Sequence, residues 1–172
     1  MTLSLKHPNL ITLSLPYFSF DADEKQGGLV VHPAIAPAVT RVFRRLFEEK
    51  FPIFSMAPID HFGNSDDQSM AANNTVAYNA REIVGGGKAS LHSYGLAFDI
   101  NPRQNPYLKN GLLLPPDGRY DPTAKGTLTP EIAAWIKAEG FVWGGDWTSL
   151  KDYMHFSWRE LEPILPGRAP EI

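Results

Sequence analysis

Two short segments of this 172-residue chain carry the side chains best suited to chemistry. One is Ser90-Leu91-His92-Ser93-Tyr94-Gly95-Leu96-Ala97-Phe98-Asp99, the other Asp152-Tyr153-Met154-His155-Phe156. Together they offer two imidazoles and two carboxylates without sulfur, because the chain has no cysteine. That absence removes thiol nucleophiles, disulfides and every cysteine-containing zinc site. Two histidines and one carboxylate, with a water in the fourth place, is a composition used by catalytic zinc sites. Gly95 permits a tight backbone between a histidine in a turn and an aspartate on the strand after it. Spacing alone leaves the matter open, since histidines and aspartates at these intervals are ordinarily surface or hydrogen-bonded residues.

These groups need elements to position them. Leu96 to Ile100 reads as a short strand closed by Asn101-Pro102, and Phe141–Trp143 and Met154–Trp158 read as two strands around a Gly144-Gly145-Asp146 turn. From Pro33 to Lys50 the residues Ile35, Val39, Val42, Phe43, Leu46 and Phe47 recur at helical spacing, with arginines and glutamates on the other face. Thr129 is placed to cap a second helix with Pro130 at its first position and Gly140 as its stop; Ile132, Trp135 and Ile136 face inward. Phe51 to Ile59 reads as a strand despite Pro52 and Pro58. The first thirty residues read as irregular, with a strand at Leu10–Leu15 and a Gly27-Gly28 turn. Two polar stretches, Asp60–Asn79 and Arg103–Thr127, are too long for simple turns, and loops of that size are commonly functional. The tail, with Pro163, Pro166 and Pro170, is expected to trail over the surface. The expected class is α+β: a small antiparallel sheet with two main helices, in one domain over 1–172 with its core at about 31–158.

Composition narrows the partners. The net charge of −3 provides no global basic field for nucleic acid or anionic lipid. No apolar run approaches the roughly 20 residues of a membrane-spanning helix. Met1–Phe20 lacks a charged–apolar–small cleavage pattern, so no signal peptide is expected. Gly85-Gly86-Gly87-Lys88 fails the phosphate-loop pattern, and no His-Glu pair exists for the usual zinc-protease helix. His7 and His32 read as ordinary loop residues, His61 beside Asp60 as a solvated residue with a substrate contact as the alternative, and Asn73-Asn74-Thr75 fits a glycosylation acceptor only formally. Trp135 reads as core; Trp143, Trp147 and Trp158 suit either the core or the floor of a cleft.

The segment Ser90–Asp99 resembles the SxHxxGxAxD signature of the zinc D-Ala-D-Ala carboxypeptidase family. That family has a hedgehog-like fold and includes L-alanyl-D-glutamate endopeptidases of bacteria and their phages. Asp152–His155 resembles its second signature, a carboxylate three residues before a histidine. Ser69–Thr75, Tyr78–Arg81, Asp99–Pro102 and Trp143–Trp147 are similar to its endopeptidase-like branch. The resemblance implies one zinc ion per chain on His92, Asp99 and His155, with Asp152 as the general base, a position held by Glu in other branches. It also implies that Arg81 stabilises the carbonyl oxygen and that Ser90 contacts substrate. The implied partner is a peptidoglycan stem peptide, cut at L-Ala-D-Glu or alternatively at D-Ala-D-Ala; a third alternative is an inactive cell-wall peptide-binding module. Arg81 and Arg103 are candidates for pairing with stem carboxylates. A monomer acting in the periplasm, outside the cell or in phage lysis is the corresponding expectation.

Overall fold

Leu13, Leu15 and Tyr17 alternate with Thr12, Ser14 and Pro16, the period of a half-buried strand. In the computed structural model, which describes residues 9–84 and 86–171, they form β1 (Ile11–Phe18). The expectations placed on His7, the residues before Asn9 and Gly85 lie outside the described residues. β1 pairs along its whole length with β2 (Glu24–Val31), from Ile11 opposite Val31 to Phe18 opposite Glu24. This corrects the reading of an irregular N-terminal region. Gly27 and Gly28 lie inside β2, opposite Leu15 and Ser14. The chain reverses at Ser19–Asp23 instead, where the Ser19 hydroxyl accepts from the Asp21 and Asp23 N–H groups at 3.3 and 3.2 Å.

The amphipathic segment forms α1 (Ala36–Glu48), entered through a 3-10 turn at Pro33–Ile35. It buries Val39, Val42, Phe43 and Leu46, each contributing roughly 1.5–3 kcal/mol by removal from water. Phe47 lies at the margin, stacked on Phe18 with centroids 4.7 Å apart. Of Phe51–Ile59 only β3 (Ser55–Met56) is strand. Asparagine side chains take over the backbone donors around it: Phe54 N–H donates to Asn101 Oδ1 at 3.0 Å and Ala57 N–H to Asn74 Oδ1 at 2.9 Å. The first polar stretch contains a 3-10 turn at Ile59–Phe62, α2 (Asp66–Ala71) capped by Ser65, and β4 (Asn74–Thr75), which pairs in parallel with β3. Asn73 is buried, which leaves the formal glycosylation acceptor out of reach.

β5 (Ala97–Asp99) follows, then an antiparallel hairpin of β6 (Tyr107–Lys109) and β7 (Leu112–Leu114) inside the second polar stretch. α3 (Pro130–Ala138) begins as expected, with Ile132 N–H donating to the Thr129 hydroxyl at 3.4 Å. β8 (Phe141–Trp143), β9 (Lys151–Asp152) and β10 (His155–Trp158) complete the elements. β10 is the middle strand of a three-stranded antiparallel sheet ordered β5-β10-β8, and β9 pairs with β6. The α+β class and the two main helices stand, while the sheet is divided among the described residues into four small pieces. One apolar cluster spans residues from Leu15 to Leu161. Phe98 sits within it, its ring 5.5 Å from Phe43, 5.0 Å from Phe141 and 5.5 Å from Phe156. Among the described residues no helix is long and apolar enough to cross a membrane.

Gly95 joins the histidine segment to this frame. Its φ is +65°, its carbonyl accepts from His32 N–H at 2.9 Å, and an added Cβ would lie 2.7 Å from His32 N. Gly95→Ala is therefore expected to destabilise the fold by more than the roughly 1–2 kcal/mol of left-handed backbone strain alone. Denaturant titration of both proteins checks this.

Candidate functional site

The alternation of side chains along a strand decides which residues reach the site. β5 and β10 pair antiparallel with His155 opposite Asp99 and Phe156 opposite Phe98. The two phenylalanines go to the core, and the His155 and Asp99 side chains emerge together on the other face. His92 comes from a 3-10 turn, Leu91–Tyr94, that precedes β5. The Ser90 hydroxyl caps that turn by accepting from His92 N–H at 3.3 Å, and Gly95 ends it in a left-handed conformation.

Three donor atoms converge. His92 Nε2 is 3.1 Å from Asp99 Oδ1 and 3.1 Å from His155 Nδ1, and His155 Nδ1 is 3.2 Å from Asp99 Oδ1. All three residues are buried. The edges of a tetrahedron of ligands about 2.05 Å from a central ion are roughly 3.3 Å, so the triangle fits a small tetrahedral cation. Each imidazole has its other nitrogen engaged: His92 Nδ1 lies 2.6 Å from the Ala77 carbonyl, and His155 Nε2 lies 2.7 Å from Glu171 Oε2. With those outer nitrogens as the N–H donors, both inner nitrogens present lone pairs to the centre. Three donors of mixed nitrogen and oxygen type, held this way, could hold a metal ion.

The electrostatics follow from burial. Burial raises the Asp99 carboxyl, but the His92 and His155 imidazoles outweigh it and hold the group well below the usual carboxylate range. Burial lowers His155, yet Glu171 and Asp99 outweigh it and keep the imidazole well above its ordinary value. Asp152, on β9, is pushed up to about 7, chiefly by burial against the opposing pull of His155. Its Oδ1 is buried without a hydrogen-bond partner. Arg81 stands beside these groups, with Nη2 4.0 Å from Asp99 Oδ2 and Nε 3.3 Å from Asp66 Oδ2.

A cleft of about 400 Å³ opens over the site, lined by Arg81, Ser90, Trp147, Asp152 and His155 among others. Lys88, Lys109 and Arg168 add positive charge to its walls. Of the tryptophans only Trp147 reaches it, its ring 5.5 Å from that of His155. Trp143 is core and donates to the Tyr153 carbonyl at 2.9 Å; Trp158 packs on Phe141; Trp135 is half-buried under Arg45. Arg103 pairs with Asp117 at 3.1 Å and is absent from the cleft lining, unlike Arg81. His32 caps the turn before α1, accepting from Ala34 N–H through Nδ1, and His61 is exposed.

Two contributors escaped the sequence reading. Asp66, at the start of α2, receives a 2.7 Å hydrogen bond from Asn79 Nδ2 and faces Arg81, so it holds the guanidinium beside the site. Its local signal was the Ser65-Asp66-Asp67 helix start, hidden in a polar stretch. Glu171 has no local signal. It lies in the tail expected to trail over the surface, which instead packs back: Leu161 is buried and Arg168 donates to the Ala89 carbonyl at 2.9 Å.

Known proteins offer two points of similarity to this chain. Residues 84–158 match the family model described as D-alanyl-D-alanine carboxypeptidase, and this matched segment holds the three convergent donors and Asp152. Among curated proteins, the chain is similar to the peptidoglycan L-alanyl-D-glutamate endopeptidase CwlK of Bacillus subtilis (strain 168), 39% identical over 70 residues. The aligned segment covers 40% of this chain and 39% of that protein. Arg81, Asp66 and Glu171 lie outside the segment matched by the family model.

The raised Asp152 carboxyl has a consequence for stability. Between the ordinary value of 3.8 and about 7 the folded state binds the proton more tightly than the unfolded chain, so stability falls as pH rises through this window. The cost is fully present above pH 7 and absent below about pH 4. Asp152→Asn removes the charge, so it is expected to raise the Tm of the metal-free protein at pH 8. The gain should shrink toward pH 5, as read by thermal melts at both pH values.

Proposed function

We propose that this chain is a single-domain zinc metallopeptidase that hydrolyses the peptide stem of peptidoglycan, with the L-Ala-D-Glu bond favoured. The observation that carries the reading is the buried convergence of His92 Nε2, Asp99 Oδ1 and His155 Nδ1 at the floor of a cleft, beside a buried carboxylate. Two nitrogens and one oxygen suit a borderline ion such as zinc, whereas calcium takes six to eight oxygens and magnesium octahedral oxygen coordination. Bound there, zinc supplies Lewis acidity, which polarises a carbonyl and lowers the pKa of water to roughly 7.

The chain's own residues do the rest. Asp152 Oδ1 has no competing donor and takes the proton of the water that attacks the scissile carbonyl. Having taken that proton, its carboxyl can then return it to the leaving amine. Arg81 offers N–H groups to the carbonyl oxygen as negative charge grows on it, and Asp66 and Asn79 fix where the guanidinium stands. The Ser90 hydroxyl, by capping the His92 turn, holds a ligand in place, and its presence in the cleft lining supports a contact with substrate.

The L-Ala-D-Glu preference is supported by the likeness to the Bacillus endopeptidase. Cleavage at D-Ala-D-Ala is the second reading. It draws on the cations Lys88, Lys109 and Arg168 around the cleft, which suit a terminal carboxylate.

Metal analysis is expected to find one zinc per chain, with His92→Ala and His155→Ala each losing most of it. Stoichiometric zinc in both variants would sink the ligand assignment. Asp152→Ala is expected to keep zinc and lose about 10²–10⁴ in turnover, the usual contribution of a general base. Asp152→Glu should retain partial activity, since the signature that Asp152–His155 resembles has Glu at this position in other branches. A time course on a defined pentapeptide stem, read by mass spectrometry, is expected to yield internal fragments first. Free D-Ala appearing before them would overturn the bond preference and leave the peptidase reading standing.

A further inference from the structure

The two imidazoles at the centre are supported differently. His92 turns Nε2 inward and gives its Nδ1 proton to a neutral acceptor, the Ala77 carbonyl, at 2.6 Å. His155 turns Nδ1 inward, and its Nε2 meets a carboxylate oxygen of Glu171 at 2.7 Å. Glu171 lies 16 residues after His155 and outside the segment that matches the family model. We infer that Glu171 is the positioning residue for His155, accepting its Nε2 proton so that the Nδ1 lone pair is held toward the metal centre. The inference rests on the reading of His155 as a ligand.

The tail is built to deliver that carboxylate. Leu161 is buried in the main apolar cluster, and Ile164 and Leu165 pack against it. Arg168 then reaches across to the Ala89 carbonyl at 2.9 Å and lies 4.0 Å from Glu171 Oε1. The last turn of this path brings Arg168, Ala169, Pro170 and Glu171 onto the cleft wall. Only 17% of the Glu171 side chain is exposed, so its bond to His155 is shielded from competing water. Glu171 and Trp147 also line a second groove, so both residues stand between the two.

A neutral imidazole has two tautomers, and only the one protonated at Nε2 can ligate through Nδ1. A carboxylate acceptor selects that tautomer, fixes the ring plane and raises the basicity of the ligating nitrogen. Loss of such an outer partner typically costs 10–100-fold in metal affinity. The imidazole of His92, served by main chain, cannot be perturbed this way by a side-chain substitution, which leaves His155 as the ligand whose support is testable.

The experiment uses the full chain and zinc itself. Chelator competition gives the zinc affinity of wild type, Glu171→Ala and Glu171→Gln, and ¹⁵N NMR of the zinc-loaded proteins follows the His155 Nε2–H signal. The expected result is a 10–100-fold loss of affinity in Glu171→Ala, with the Nε2–H signal lost to solvent exchange. Glu171→Gln keeps an acceptor oxygen without the charge and should fall between. A tail that merely braced the fold would change the metal-free Tm without moving the Nε2–H signal. Zinc affinity in Glu171→Ala within twofold of wild type, with that signal unchanged, would overturn the inference while leaving the peptidase reading intact. A wild-type chain that binds no zinc would overturn both.

Discussion

The register between β5 and β10 is the constraint on which the rest depends. Because side chains alternate across a strand, the pairing of His155 with Asp99 is inseparable from the pairing of Phe156 with Phe98. A slip of one residue would send both polar groups into the core and two phenyl rings into the cleft. What prevents the slip is the apolar side: Phe98 is enclosed by Phe43, Phe141 and Phe156, contributed by a helix and two strands. The hydrophobic effect thus fixes the polar geometry indirectly. No attraction between the imidazoles and the carboxylate has to be strong enough to organise the site.

The same arrangement makes the site expensive in its own right. Asp99, Asp152, Asp66 and Glu171 are brought within one small region with Arg81 and two histidines, largely away from water. Asp99 and Glu171 are compensated: burial works against each carboxylate, and the facing imidazoles more than offset it, leaving Glu171 at about 2. Asp152 and Asp66 are not fully compensated, and burial leaves both raised. A buried carboxylate with a free oxygen is destabilising to the fold and useful to a proton-transfer reaction, a conflict common at functional sites. The protein tolerates it because the apolar cluster beneath is continuous.

The walls of the cleft come from segments far apart in the chain. Arg81, Ile83, Val84, Lys88 and Ser90, the β6 strand with Tyr107 and Lys109, the Trp147 turn and the tail at Arg168–Glu171 all meet there. The segment that matches the peptidase family model supplies the donors and Asp152, while Arg81, its support Asp66 and the outer partner Glu171 come from outside it. The chemistry and its environment therefore have separate origins in the sequence. Net charge makes the same point: the chain as a whole is at −3, yet the cleft gathers Arg81, Lys88, Lys109 and Arg168.

Local signals were sufficient for α1, for the capped start of α3 and for the strands carrying Asp99 and His155, because periodicity and capping act over a few residues. The β6–β7 hairpin was legible too, in Asn110-Gly111 with φ of +48° and +82°, the sign of a type I′ turn. Its setting in a long polar stretch masks that signal. The Gly27-Gly28 turn was misread because glycine marks turns only on average, and here the Ser19 side chain made the reversal instead. His92, Asp99, Asp152 and His155 were nameable from residue types and motif. The sequence by itself determined which groups could do chemistry, and it marked the two main helices and the strands that carry Asp99 and His155. That His92 and His155 turn opposite nitrogens inward, that Asp66 holds Arg81, and that Glu171 returns from the tail to His155 were decided only by the tertiary structure. Those facts depend on burial and on contacts across tens of residues, and no local pattern in a chain encodes either.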